Sequence, residues 1–184
     1  LRDVFNLQQI AAMKTTLIAL LLLITTAITH AQQTTADPDL LVKVGDPAPN
    51  FSFYIDKGKQ TSLDKYKGKI VMINFFATWC GPCRTELPRV QTELWDKYKD
   101  NPKFALFIFG RDEDWDKVTP FKQQNKYTFA MLPDKGKKIY SLYAKQMIPR
   151  NFILDENGKV LYQSMGYSER EFNDMAALIA AKLK

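Results

Sequence analysis

The 184-residue chain carries 26 lysines and arginines against 20 acidic residues, a net charge of +6, with 46% hydrophobic and 25% charged residues. That balance is ordinary for a globular domain, and the lysines are scattered over turns and helix faces, so no motif for nucleic-acid binding emerges. One histidine and two cysteines are too few ligands for the usual zinc or copper sites, so no metal is expected.

In chain order, residues 1–12 carry no clear signal and are set aside. Met13-Lys14 opens an apolar run that reaches Ile28 and ends in Thr29-His30-Ala31. A basic start, about a dozen apolar residues and a small residue form a secretory signal peptide, with cleavage after Ala31. The run is short of the ~20 residues a membrane span needs, which makes an uncleaved anchor the second reading. A periplasmic or otherwise extracytoplasmic protein follows, with 32–43 as a flexible polar leader and 44–184 as one domain.

Val44-Gly45-Asp46-Pro47-Ala48-Pro49 is extended, because each proline disfavours helix in the residue before it. Segments 51–55 and 60–63 flank Asp56-Lys57-Gly58-Lys59 and predict a hairpin. The almost wholly apolar run Ile70-Val71-Met72-Ile73-Asn74-Phe75-Phe76 suits a strand covered on both faces. Cys83, Leu87, Val90, Leu94, Trp95 and Tyr98 then recur at helical spacing, with Pro88 expected to kink the helix. A buried strand is expected at 104–109, an irregular helix at 112–126, a short strand at 128–132 and a short helix at 136–143. Segments 151–154 and 159–163 around Asp155-Glu156-Asn157-Gly158 predict a second hairpin. Ser168 and Glu171 offer a capping box to a last amphipathic helix. The fold class is α/β, a mixed central sheet flanked by helices.

Both cysteines lie in Trp79-Cys80-Gly81-Pro82-Cys83, directly after the apolar strand and at the start of the helical pattern. A thiol at a helix N-terminus is stabilised as thiolate by unpaired N–H groups and the dipole. Only the thiolate attacks a disulfide, so Cys80, the more exposed sulfur, is the expected nucleophile and Cys83 its resolving partner. Proline at 82 costs no hydrogen bond in the first turn, and Gly81 lets the backbone turn tightly without covering the sulfur. Trp79 either shields the site or packs as a plain aromatic. As a mere staple, a Cys80–Cys83 disulfide would close too small a ring to restrain the unfolded chain much.

These residues resemble the TlpA/ResA-like thiol–disulfide oxidoreductases of the thioredoxin superfamily over residues 44–183. The marks are Gly45-Asp46-Pro47-Ala48-Pro49-Asn50-Phe51, the run from Asn74 through Cys83, Glu86-Leu87-Pro88, and Ile148-Pro149-Arg150-Asn151-Phe152. The resemblance implies a thioredoxin fold extended by the N-terminal hairpin and by a helix-strand insertion at 112–131. It implies a redox-active Cys80–Cys83 disulfide and no cofactor. Pro149, preceded by Ile148, matches the proline that is cis in such folds and lies against the sulfurs, where a substrate strand would pair. Arg150 departs from the threonine common after that proline. Glu86 matches an acidic residue three positions after the second cysteine that could exchange protons with Cys83; the plainer reading is a first-turn glutamate favoured by the dipole. Asn74 stands where cytoplasmic thioredoxins keep a buried aspartate, and it cannot act as a base.

The expected partners are disulfide-bearing proteins and a membrane thiol-reducing electron donor, with cytochrome c maturation as one setting. The Gly-Pro pair resembles that of reducing thioredoxins, which favours a reductase. A peroxiredoxin is the nearest enzymatic rival, but the proline and threonine its frame wants are replaced by Ile73 and Ala77. Haem attachment is disfavoured because Arg84 follows Cys83. A non-catalytic binding domain with a structural disulfide is the remaining alternative.

Overall fold

In the computed structural model, which describes residues 37–184, the apolar run at 70–76 is the middle strand of a five-stranded sheet. The expected export segment, 13–31, lies outside the described residues, as do residues 32–36 of the expected leader. Among the described residues the strands are β1 (Ser52–Asp56), β2 (Lys59–Ser62), β3 (Ile70–Phe76), β4 (Phe104–Arg111), β5 (Ala130–Asp134), β6 (Arg150–Leu154) and β7 (Val160–Met165). The helices are α1 (Gly81–Arg89), α2 (Asp96–Tyr98), α3 (Trp115–Gln124), α4 (Tyr140–Tyr143) and α5 (Glu169–Lys182). None of them is long and apolar enough to cross a membrane.

The sheet runs β5-β4-β3-β6-β7. β3 pairs parallel with β4 and β4 with β5, while β6 is antiparallel to both β3 and β7. β1 and β2 form a separate antiparallel hairpin. Strand side chains alternate between faces, and here each face has its own core. Ile70, Met72 and Phe76 of β3 join Leu87 and Val90 with Phe172, Met175 and Ile179 of α5. Val71, Ile73 and Phe75 join Phe51 and Phe53 of the hairpin region with Tyr140 and Tyr143 of α4. Asn74 therefore points to the α1 side, the one polar residue of an otherwise apolar strand.

Three local outcomes differ from the sequence reading. Helix α1 passes through Pro88 and continues as a π-helical turn, Val90–Trp95, before α2; the Val90 N–H is shared between the Glu86 and Leu87 carbonyls. Strand β5 is displaced toward its C-terminus and contains Pro133, tolerated because β5 is an edge strand. The stretch read as a mobile leader up to residue 43 is tied down from Asp39 onward. Leu41 N–H donates to the Tyr143 carbonyl at 2.9 Å, Lys145 N–H to the Asp39 carbonyl at 2.8 Å, and Val42 is buried. Apolar Leu40 and Val42 cover the end of α4, which outweighs the polar composition around them.

The capping box at α5 forms with a variation. The Ser168 hydroxyl accepts the Glu171 N–H at 3.3 Å, and the Glu171 carboxylate accepts the Ser168 O–H at 2.7 Å.

Candidate active site

Because β3 ends at Phe76 and α1 begins at Gly81, four residues turn the chain from strand to helix. Cys80 N–H donates to the Ala77 carbonyl at 3.0 Å, and Arg84 N–H to the Cys80 carbonyl at 3.1 Å. The turn is also held from the side. Glu113, buried after β4, accepts hydrogen bonds from the Thr78 N–H at 3.0 and 3.1 Å and from the Thr78 hydroxyl at 2.7 Å. That glutamate was not singled out in the sequence, where it is the middle one of three acidic residues in a row after β4.

Cys80 is the N-cap of α1 and is joined to Cys83 by a disulfide. The Cys83 N–H points at Cys80 Sγ, 3.3 Å away. This is the donor that a Cys80 thiolate would use when the disulfide is open. Cys83 is fully buried, whereas Cys80 retains 4% of its surface. Only Cys80 borders the outside, through a groove of about 340 Å³ lined by Trp79, Cys80, Gly81, Pro82, Met147 and Ile148 among others. Trp79 is 70% exposed, so it is a rim residue of the groove and not a packed core aromatic.

The facing wall is the loop before β6. The Ile148–Pro149 peptide is cis, and the Ile148 carbonyl lies 3.8 Å from Cys80 Sγ. Met147 sits at φ 71°, a left-handed conformation uncommon for a residue with a side chain, and its carbonyl accepts the Tyr140 hydroxyl at 2.7 Å. Arg150 is wholly buried; its Nε donates to the Gln146 carbonyl at 3.0 Å. The arginine that replaces the common threonine thus braces the loop from inside.

Beneath the disulfide lies a buried polar row. In register, Asn74 of β3 is opposite Asn151 of β6, and Asn151 is opposite Ser164 of β7. Glu86, on the inner side of α1, closes the row. Asn74 Nδ2 donates to Glu86 Oε2 at 2.9 Å and to Asn151 Oδ1 at 2.7 Å. Asn151 Nδ2 donates to Glu86 Oε1 at 2.7 Å and to Ser164 Oγ at 3.2 Å. Burial pushes the Glu86 carboxyl up to about 7, although the Asn151 and Asn74 hydrogen bonds act to lower it. A carboxyl poised near neutrality can give or take a proton at working pH. Its oxygens rest on the two asparagines and not on Cys83, so any proton exchange with the thiol begins from one helical turn away.

The residues expected at the site are brought together: Trp79 through Pro82 and Ile148 line the groove, Cys83 is sealed behind Cys80, Pro149 follows Ile148 across the cis bond, and Glu86 lies beneath. Asn151 and Ser164 were missed, since antiparallel register across β3, β6 and β7 cannot be read from spacing along one strand.

Comparison with known proteins agrees with this arrangement. The Redoxin family model matches residues 43–179. A thiol-disulfide oxidoreductase ResA of Bacillus thuringiensis is 36% identical over 130 residues, covering 71% of this chain and 74% of its own. A solved structure described as a protein disulfide isomerase from Bacteroides thetaiotaomicron superposes with a TM-score of 0.75 at 37% identity, covering 79% of this chain and 92% of that one. A structure described as a thiol:disulfide interchange protein DsbE from Chlorobium tepidum has a TM-score of 0.69 at 29% identity, covering 78% and 99%. With its Cys-x-x-Cys pair at the strand-to-helix turn and this breadth of similarity, the chain belongs to the redoxin family, among the ResA-like thiol–disulfide oxidoreductases.

Proposed function

We propose that the protein reduces disulfides in extracytoplasmic proteins, with Cys80 as attacking nucleophile and Cys83 as resolving thiol. The observation that carries the assignment is the asymmetry of the pair. Cys80 alone borders the groove, while the Cys83 N–H is aimed at its sulfur and Cys83 itself is sealed.

In the reduced protein the Cys80 thiolate attacks one sulfur of a substrate disulfide; a mixed disulfide forms and the other substrate sulfur leaves as thiolate. Cys83, deprotonated, then attacks Cys80 Sγ, forms the Cys80–Cys83 bond and releases the second substrate thiolate. The substrate gains two electrons and the protein loses them. A thiol-reducing membrane donor restores the dithiol, and the segment around Ile148 and Pro149 pairs with the extended substrate chain as an added strand. Glu86 takes the Cys83 proton as that thiol becomes the nucleophile, its raised affinity matching the task. Maturation of c-type cytochromes, whose cysteines must be reduced before haem attachment, is a fitting setting for this activity.

The test combines equilibration of the Cys80–Cys83 pair against glutathione with substrate trapping. Cys83→Ala should accumulate mixed disulfides through Cys80, and Cys80→Ser should not. A potential more oxidising than the glutathione couple would replace the reductase reading with an oxidase or isomerase. Equal trapping by both variants would remove the assigned division of labour.

A further inference from the structure

Arg111 is the last residue of β4 and lines the same groove as Cys80. Its placement follows from topology. β3 and β4 run parallel with Phe76 opposite Gly110, so the residue after Gly110 emerges beside the turn that carries Cys80. The guanidinium carbon lies 4.7 Å over the Tyr140 ring, and Nε is buried without a hydrogen-bond partner.

The neighbouring carboxylates are engaged elsewhere. Glu113 holds Thr78, Asp134 accepts the Ile139 and Tyr140 N–H groups at 2.8 Å each, and Asp112 accepts the Gly136 N–H and lies 3.9 Å from Lys137 Nζ. Among the described residues no ion pair reaches Arg111. An arginine is always charged and offers a planar fork of donors suited to a carboxylate. Stacking on Tyr140 restricts that fork, and Tyr140 is itself fixed through its hydroxyl to the Met147 carbonyl. The groove thus has apolar walls at Trp79 and Met147, a sulfur at Cys80, and, in Arg111, a cation that no described carboxylate contacts directly.

We propose that Arg111 is a specificity-determining residue that receives a carboxylate of the substrate, so that the enzyme favours disulfide-bearing segments with an acidic residue beside the cystine. This rests on the reductase reading above. The carboxylate would dock against Arg111 while the adjacent cystine sulfur meets Cys80, so binding and attack are aligned by one ion pair.

Single-turnover reduction by the pre-reduced full chain, followed by the fluorescence of exposed Trp79 and by thiol release, tests it. The probes are two cystine peptides of identical sequence except for Asp or Asn beside the cysteine. The wild type should reduce the Asp peptide about tenfold faster or more, as one charge-assisted hydrogen bond allows, and the ratio should shrink with added salt. Arg111→Gln should bring the ratio to about one, and Arg111→Lys should retain part of it. A wild-type ratio near one overturns the proposal, as does Arg111→Gln slowing both peptides by the same factor, which would mean that Arg111 acts on the Cys80 thiolate. Oxidised glutathione distinguishes the source of the carboxylate. Arg111-dependent preference for the peptide alone is expected, whereas the same dependence for glutathione alone overturns docking of a protein segment. Failure of the wild type to reduce any of the three disulfides would instead remove the reductase reading itself.

Discussion

The two faces of the central sheet are covered at similar depth but built from different materials. On the hairpin side the packing is aromatic. Phe75 meets Phe109, Tyr140, Tyr143 and Phe152 at ring-centroid distances of 5.3 to 6.3 Å, and Phe53 meets Phe107 at 4.9 Å. The tyrosine hydroxyls there reach outward to the Pro49 and Met147 carbonyls. The buried charged groups of this face, Arg150 and Asp134, stand at the edge of the ring cluster, with Arg150 donating to the Gln146 carbonyl and Asp134 accepting the Ile139 and Tyr140 N–H groups. On the α1 side, Asn74, Asn151, Ser164 and Glu86 interrupt an equally buried core directly under the disulfide. A buried carboxyl and its amide donors contribute less to stability than hydrocarbon of the same volume would. The difference teaches that one face is held mainly by ring packing, with its buried carboxyl, Asp134, tied to backbone N–H groups, whereas the other holds a carboxyl, Glu86, on side-chain amides directly under the disulfide.

The sharpest way to break this division is Phe75→Ala. The side chain is fully buried, and truncation should cost about 3–5 kcal/mol in urea denaturation. The pH at which Glu86 titrates should not move, because Phe75 points away from it. A shifted Glu86 titration in the folded variant would show that the faces are coupled.

Glu86→Gln probes the other face. A carboxyl raised from 4.5 to about 7 favours folding in its neutral form. Its contribution is fully present below about pH 4.5 and is lost as pH rises through 7, a change of roughly 3 kcal/mol. Denaturation of the wild type between pH 4.5 and 8 should carry this slope, and Glu86→Gln should lack it. The same variant should alter the pH profile of the resolving step at Cys83. Unchanged thiol profiles and reduction rate would leave Glu86 without a role in proton transfer.

Much of the aromatic face was legible, and the polar face only in part. A continuous apolar run located β3 to the residue, turn residues located both hairpins, and a capping box with helical spacing located the last helix, because those signals are local. The Cys-Gly-Pro-Cys turn was legible for the same reason, as chemistry and backbone preference share five adjacent residues. Asn151 and Ser164 were not, since their meaning depends on register between strands far apart in sequence. Arg111 was not singled out, since it falls between the expected strand at 104–109 and the expected helix at 112–126. Its place beside Cys80 follows from β4 running two residues further than its apolar run, to pair Gly110 and Arg111 with Pro133 and Asp134 of β5. Leu40 and Val42 were hidden by polar neighbours, and their role depends on the end of α4 that they cover.

The smallest expected effect is also the most diagnostic of the polar row. Asn151→Ala removes the donor to Glu86 Oε1 and the acceptor for Asn74 Nδ2. Leaving such buried groups unpaired costs about 1–3 kcal/mol. The cost should depend on pH. The Asn151 hydrogen bond holds the Glu86 carboxyl down, so its loss moves that titration further toward alkaline pH. Above pH 7 the variant must either bury a less supported carboxylate or keep the proton, whereas at pH 5 Glu86 is neutral in both proteins. Urea denaturation at pH 5 and pH 8 should therefore give a larger difference at pH 8, and Ser164→Ala, which touches the row only at its far end, should show little of this dependence. Equal costs at the two pH values would reduce Asn151 to a packing residue and separate Glu86 from the strands beneath it.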